Sequence, residues 1–105
     1  MNKFFALSEP TREKIIELIA NNGQMSASDI ARKFHISAPA ISQHLKVLRD
    51  ANLVLVEKKA QQRIYRINSD SIFELEVWAK KMKDLWEERF DSLEKLLEKE
   101  KKKLK

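Results

Sequence analysis

Apolar positions along the chain recur in two rhythms, one helical and one of alternate residues. Phe4, Phe5 and Leu7 predict a short first helix or an apolar arm. Ser8-Glu9-Pro10-Thr11 reads as a helix start, a capping residue followed by proline in the first turn. Ile15, Ile16, Leu18 and Ile19 then keep helical spacing until Asn21-Asn22-Gly23 ends the run. Gly23, the only glycine, suits the left-handed position after a helix. Ser26-Ala27-Ser28-Asp29 is a capping box that opens a helix with Ile30, Ala31 and Phe34 on one face. His35-Ile36 reads as a tight connection. Ser37 caps the next helix, Pro39 sits in its first turn, and Ile41, Leu45 and Leu48 form its buried stripe. Asn52 ends it, because asparagine tolerates the left-handed conformation.

The rhythm then changes. Val54–Lys58 and Arg63–Ile67 are rich in β-branched and aromatic residues, with Val54/Val56 and Tyr65/Ile67 two apart, and read as a hairpin. The linking residues Lys59-Ala60-Gln61-Gln62 include no glycine, asparagine or aspartate, which predicts a loop wider than two residues. From Ser69 onward the pattern is helical, capped by Ser69 or Asp70. Trp78, Met82, Trp86, Phe90, Leu93 and Leu97 make a stripe at steps of three and four. Glu76–Lys80, Asp91–Lys95 and Glu98–Lys102 are favourable pairs four apart. The lysine-rich stretch from Lys99 to Lys105 is expected to fray. The stripe is longer than the preceding 68 residues can cover, so a homodimer joined by the last helix, with Phe4 and Phe5 beside it, is expected.

Length and charge narrow the function. The 105 residues are one domain's worth, read as a body (1–68) and a dimerisation helix (69–105). Residues 1–68 carry 11 Lys/Arg against six Asp/Glu, while 69–105 carry ten of each, so the whole net charge of +5 lies in the body. Eight of those bases fall between Arg32 and Arg66, against Asp50 and Glu57, which points to a polyanion partner. Cysteine is absent, which excludes disulfides and thiolate metal sites. No apolar run is long enough to span a membrane, and Met1–Leu7 is too short for a secretory signal, so a cytoplasmic chain is expected. There is no nucleophile–histidine–acid spacing, no glycine-rich phosphate loop and no His-Glu-x-x-His, so no enzyme is expected.

Two short helices joined by a tight turn and followed by a basic hairpin form a unit suited to duplex DNA. With its apolar stripe turned inward, the helix Ser37–Ala51 presents Ala38, Pro39, Ser42, Gln43 and Lys46 outward. Small residues allow close approach to a major groove, and Ser42 and Gln43 offer donors and acceptors to base edges. Lys58, Lys59 and Arg63 can reach flanking phosphates, and the helix starts at Ser26 and Ser37 offer free N–H groups.

Leu7-Ser-Glu-Pro-Thr-Arg12, Ser28-Asp-Ile-Ala31 and the run Ile36-Ser-Ala-Pro-Ala-Ile-Ser-Gln-His-Leu-Lys-Val-Leu-Arg-Asp-Ala-Asn-Leu-Val54 resemble the ArsR-type winged helix-turn-helix repressors. The hairpin ending Arg63-Ile-Tyr-Arg-Ile67 is similar to that family's wing, and Trp86-Glu-Glu-Arg-Phe-Asp-Ser-Leu93 to the tail of a branch without metal ligands. The resemblance runs from about Leu7 to Leu97. It implies a mainly α winged helix of order α-α-α-α-β-β-α. It also implies a homodimer that binds double-stranded DNA, usually as the repressor of a palindromic operator. By position, Ala38, Pro39, Ser42 and Gln43 would face bases. Arg12, Ser26, Ser37, His44, Lys46, Lys58, Lys59, Gln62 and Arg63 would contact the backbone.

The chain departs from the family in ways that bear on what it senses. It lacks the cysteines that many members use for metals, Asp70 is followed two residues later by Ile72, and the last helix has no histidine. No metal or cofactor is therefore expected, and no effector is named. His35 and His44, nine residues apart with no second ligand pair, read as surface groups rather than ligands. The wing lacks the family's usual glycine, with Ala60 standing nearby. Capping alone accounts for Ser8, Ser26 and Ser37. Phe73, Trp78, Trp86 and Phe90 could line an effector pocket, although an aromatic stripe is more often core or interface. The rival function is a winged-helix protein–protein module that binds no DNA. It would expose aromatics or leucines where this chain shows Ser, Gln, His and Lys. A weaker rival is a nonspecific architectural DNA binder.

Overall fold

A computed structural model describes residues 2–103. The expected order is present with one addition: α1 (Lys3–Leu7), α2 (Pro10–Asn22), β1 (Gln24–Ser26), α3 (Ala27–Arg32), α4 (Ala38–Asp50), β2 (Val54–Lys59), β3 (Gln62–Ile67) and α5 (Ser69–Lys103). The fold is a mainly helical winged helix, and two compact units part between Ile72 and Phe73, inside α5. Leu104 and Lys105, the last residues of the stretch expected to fray, lie outside the described residues, and α5 is continuous to Lys103.

In the first unit, α4 packs on α2 and on α3, and all three pack on a three-stranded antiparallel sheet of order β1-β3-β2. The core consists mainly of Ile15 and Ile19 from α2, Ile30 from α3, Ile41, Leu45 and Leu48 from α4, and Leu53, Val54 and Tyr65. β1 was not expected, since only Met25 of its three residues is apolar. Met25 pairs with Tyr65 and both are buried, so a three-residue strand closes the sheet beside β3.

Local chemistry sets where the helices begin. Ser37 and Ser26 accept the N–H groups of Ala40 (3.3 Å) and Asp29 (3.1 Å). Asp29 completes no capping box in return; its carboxylate meets the Arg32 guanidinium instead. Phe34, expected on the face of α3, lies beyond its end, because the helix stops at Arg32. Ser8 does not cap α2 either. It closes α1, donating its hydroxyl to Phe5 O, and Glu9 is the cap, its carboxylate accepting Arg12 N–H at 3.0 Å. At the start of α5 it is Asn68, not Ser69 or Asp70, that caps: its Oδ1 accepts Asp70 N–H at 3.2 Å.

α4 ends in a Schellman motif. Asn52 takes φ 61°, Leu53 N–H reaches Leu48 O at 3.0 Å, and Asn52 N–H reaches Arg49 O at 2.9 Å. Leu48 and Leu53, the apolar pair that accompanies such a motif, are both fully buried. The Asn52 carbonyl then accepts Asn68 Nδ2 at 2.9 Å and the Ser71 hydroxyl, tying the end of α4 to the first turn of α5.

The hairpin corrects one expectation. Lys59 pairs with Gln62, so the turn is only Ala60-Gln61. Six cross-strand pairs, from Val54↔Ile67 to Lys59↔Gln62, demand a tight, twist-matched turn, and Ala60 supplies its positive φ of 54° without being glycine. An L-residue with a Cβ is strained there by roughly 1–2 kcal/mol. Ala60→Gly should therefore raise stability by about 0.5–1 kcal/mol, after the greater freedom of glycine in the unfolded chain is offset. Urea unfolding should show the midpoint rise, and an unchanged or lower midpoint would place no strain at Ala60.

Candidate nucleic-acid interface

The rotation of α4 decides what it can offer a ligand. Ile41, Leu45 and Leu48 are at most 1% exposed, and their burial turns Ala38, Pro39, Ser42, Gln43 and Lys46 to solvent. Pro39 sits in the first turn, where its missing N–H costs nothing, and Ala38 and Ala40 beside it keep the helix start small. Ser42, Lys46 and Arg49 follow at steps of four and three along one edge of this face. Together with Arg63 of β3 they line a cleft of about 340 Å³ between α4 and the hairpin, floored by Ala27, Leu45 and Tyr65. Lys46, Arg49 and Arg63 supply three cations to it, and no carboxylate lines it. Arg49 escaped the sequence reading, although its place three residues after Lys46 and seven after Ser42 was the signal available.

On the wing, Lys58 stands directly opposite Arg63, and Lys59 opposite Gln62, all four exposed. Like charges facing each other across a ladder destabilise a sheet. The Lys58–Arg63 pair therefore weakens the hairpin on its own and is relieved by an anion between or beside the two cations.

Three expected backbone-contact residues turn inward instead. Ser26 is 4% exposed with its hydroxyl committed to Asp29 N–H, so that side chain is withdrawn from any phosphate. Arg12 spends its guanidinium within the fold. Its Nε donates to Ala6 O at 2.7 Å, one terminal nitrogen reaches Phe5 O at 3.5 Å, and the group stacks 5.5 Å over the Phe5 ring. Its other terminal nitrogen lies 3.3 Å from Nδ1 of His44. His44, on the inner edge of α4, is thus held against α2, with Glu9 Oε2 3.9 Å from the same nitrogen.

Ser37 remains exposed at the start of α4. Phe4, Phe5, Trp78, Met82, Trp86, Phe90, Leu93 and Leu97, expected at a dimer interface, are all exposed apolar side chains, and Leu85 and Leu96 extend the stripe. Among the described residues, no group of three or more histidine, aspartate or glutamate side chains is placed to hold a metal. No helix among them is long and apolar enough to cross a membrane.

The profile of bacterial regulatory proteins of the arsR family matches residues 9–56, the stretch from the cap of α2 through α4 into β2. The transcriptional repressor SdpR of Bacillus subtilis (strain 168) is 44% identical over 68 residues, covering 65% of this chain and 74% of that protein. The chain belongs to the arsR family. The arsenical resistance operon repressor of the same Bacillus strain is 31% identical over 70 residues, covering 67% of each chain. An ArsR-like transcriptional regulator from Rhodococcus sp. RHA1 superposes with a TM-score of 0.77 at 26% identity, over 89% of this chain and 87% of that one. This arsR-family chain is therefore a DNA-binding transcriptional regulator and not an enzyme.

The Glu9 cap carries a pH dependence. Partial burial pushes its carboxyl up, but the Arg12 N–H, the charge of His44 and hydrogen bonds from Thr11 outweigh this and hold it below the ordinary 4.5. A carboxyl lowered on folding stabilises the native state above pH 4.5, and that contribution fades as pH falls through the lowered value. Wild type should accordingly be more stable than Glu9→Gln at neutral pH, with the gap narrowing below pH 4.5. Thermal melts across that range test this, and a gap independent of pH would remove the ionised cap from the account.

Proposed function

We propose that the chain is a homodimeric repressor that reads a palindromic operator. Bases are read with Ala38, Pro39, Ser42 and Gln43, and phosphates are held with Ser37, Lys46, Arg49, Lys58, Lys59, Gln62 and Arg63. One observation carries this reading. The exposed face of α4 is small and polar at its start and runs into a cleft with three cations and no carboxylate. A groove-reading helix needs such a gradient, with base edges met by the first turns and phosphates by the flanks. The rival protein-binding module lacks support on this face, since it presents no aromatic or leucine side chain between Ala38 and Lys46 that is not buried. Arg12 and His44 are assigned to positioning, because they join α1, α2 and α4 behind the reading face.

The dimer reading rests on the α5 stripe. Trp86 is 71% exposed and Phe90 54%, far more apolar surface than a lone helix leaves in water without a partner. Two copies related by a two-fold axis would present two α4 helices, so the selected sites should be inverted repeats with centres about one turn of DNA apart, roughly 34–36 Å. Selection from a random duplex pool tests binding, specificity and symmetry together. Enrichment of no sequence at all would favour the architectural rival.

Two outcomes separate the roles of the residues. Gln43→Ala should cost about 1–3 kcal/mol at one base pair in each half-site, relaxing selection there with little change on random DNA. Neutralising Lys58 or Arg63 should weaken all sequences alike and lower the salt slope by roughly two for a symmetric dimer, about 0.9 per lost contact. Titrations of specific and random duplexes at several salt concentrations read both. Equal weakening of the two duplexes by Gln43→Ala would make it a backbone contact.

For the dimer, Trp86→Glu combined with Phe90→Glu should give monomers or aggregates, because the interface would bury unpaired charges. Sedimentation of the double variant checks this, and an intact dimer would move the interface elsewhere.

A further inference from the structure

The cleft of about 340 Å³ between α4 and the hairpin gathers donors that nothing in the chain satisfies. Lys46, Arg49 and Arg63 bring three cations to it, and no carboxylate lines it. Among the described residues, the side chains of Lys46 and Arg63 make no hydrogen bond and no ion pair. Arg49 has only a 3.9 Å approach to the carboxylate of Asp50, its neighbour in the chain. Two hydroxyls join these cations. Ser42 is exposed, and its hydroxyl meets no described partner. Tyr65 is 5% exposed, yet its hydroxyl also meets none. That hydroxyl is not sealed in the core, because among the described residues no fully buried side-chain oxygen lacks a partner. It is therefore reachable from outside, and the cleft is what Tyr65 lines. Ala27 and Leu45 complete an apolar floor.

This set of groups selects a chemistry. Three cations and two hydroxyl donors match an anion with more than one charge and more than two acceptors. A backbone phosphodiester carries a single charge and two unesterified oxygens. A phosphate monoester carries about −1.5 to −2 at pH 7 and three strong acceptor oxygens. It can accept a charge-assisted hydrogen bond from each cation, while its ester oxygen leads to a carbon body that the floor can cover. A carboxylate fills one guanidinium fork and leaves the other cations unmet. The volume lies at the small end of the range for ligand pockets, so the carbon body is small.

We propose that this cleft binds a small organic phosphate monoester, and that the bound ligand displaces DNA. The phosphate sits among Lys46, Arg49 and Arg63 and accepts from the Ser42 and Tyr65 hydroxyls, with the carbon body against Ala27 and Leu45. The same three cations are assigned above to DNA phosphates, so the cleft cannot serve both at once. The site stands on the cleft alone, whereas its regulatory consequence rests on the DNA reading. By linkage, the ligand lowers DNA affinity by the factor by which DNA lowers that of the ligand.

Tyr65 is the only tyrosine in the chain, so labelling with fluorotyrosine gives one fluorine NMR signal, placed on the cleft floor. Phenyl phosphate, inorganic phosphate and phenol are each titrated into the full chain at constant ionic strength. Phenyl phosphate should move the signal to saturation, at least about threefold more tightly than inorganic phosphate because its ring is covered, and phenol should not move it. Arg49→Gln and Arg63→Gln should each weaken phenyl phosphate about tenfold. A second measurement follows release of a labelled duplex by phenyl phosphate, again at constant ionic strength. Tyr65→Phe keeps the ring that packs on Met25, so it should leave DNA affinity within about twofold. It should raise the phenyl phosphate needed for release about threefold or more, one hydrogen bond being lost.

No saturable shift, or equal affinity for phenyl phosphate and inorganic phosphate, would overturn the proposal and leave the DNA reading intact. Saturation of the cleft with the duplex still bound would overturn the displacement. A chain that takes phenyl phosphate but selects no duplex would overturn the DNA reading, and the competition with it, while supporting the site.

Discussion

The burial of three side chains, Ile41, Leu45 and Leu48, is the constraint on which the rest of the body depends. Each is at most 1% exposed, packed among Ile15, Ile19, Ile30 and Leu53. Fully burying a side chain of this kind stabilises by about 1.5–3 kcal/mol. A one-residue slip of the stripe would rotate α4 by about 100° and forfeit most of that contribution. The rotation is therefore fixed before any DNA is present, and with it the outward display of Ala38, Pro39, Ser42 and Gln43. The proposed reading face is the complement of the core face, and one set of contacts specifies both.

Polar nodes then hold the C-terminal end and the middle of α4. At its C-terminal end the Asn52 carbonyl gathers Asn68 and Ser71, so the first turn of α5 is anchored where α4 stops. Midway along it, His44 meets Arg12, whose guanidinium also holds the Phe5 and Ala6 carbonyls of α1. Arg12 thus joins three helices, and the exposed Phe5 beneath it belongs to the same node. Anything that moves α1 acts through Arg12 on the inner edge of α4, the helix proposed to read DNA.

Much of this architecture was legible in the sequence because it rests on short-range chemistry. Serines before helices, prolines in first turns, Gly23, Asn52 and the three-residue stripe of α4 all announce their roles locally. What escaped depends on partners distant in the chain. β1 has too few residues to show a period and exists because Met25 finds Tyr65. Glu9 displaced Ser8 as a cap because Ser8 was already closing α1. Arg12 looked like a free cation until α1 folded back onto it, and Ser26 looked exposed until the sheet closed over it. In the interface, the exposure of Ser42, Gln43, Lys46 and the wing bases followed from the period of α4 and the register of the hairpin. Arg49 joined them only when the wing was placed beside the last turns of the helix.

The departures from local consistency fall where the molecule must meet something else. Ala60 bears a positive φ that glycine would adopt freely, at the tip of a hairpin whose next pairs bring Lys59, Gln62, Lys58 and Arg63 together. Two cations face each other there with no carboxylate among the residues they pair with. Along α5, large apolar side chains, Trp86 and Phe90 among them, stand exposed. Neither feature lowers the free energy of the isolated chain, and both would lower it in the complex proposed above: the wing cations against phosphates, the stripe against another apolar surface. The helices of the first unit show no such conflict. Among the described residues no buried side-chain nitrogen or oxygen lacks a partner, and α2, α3 and α4 each begin on a capping side chain.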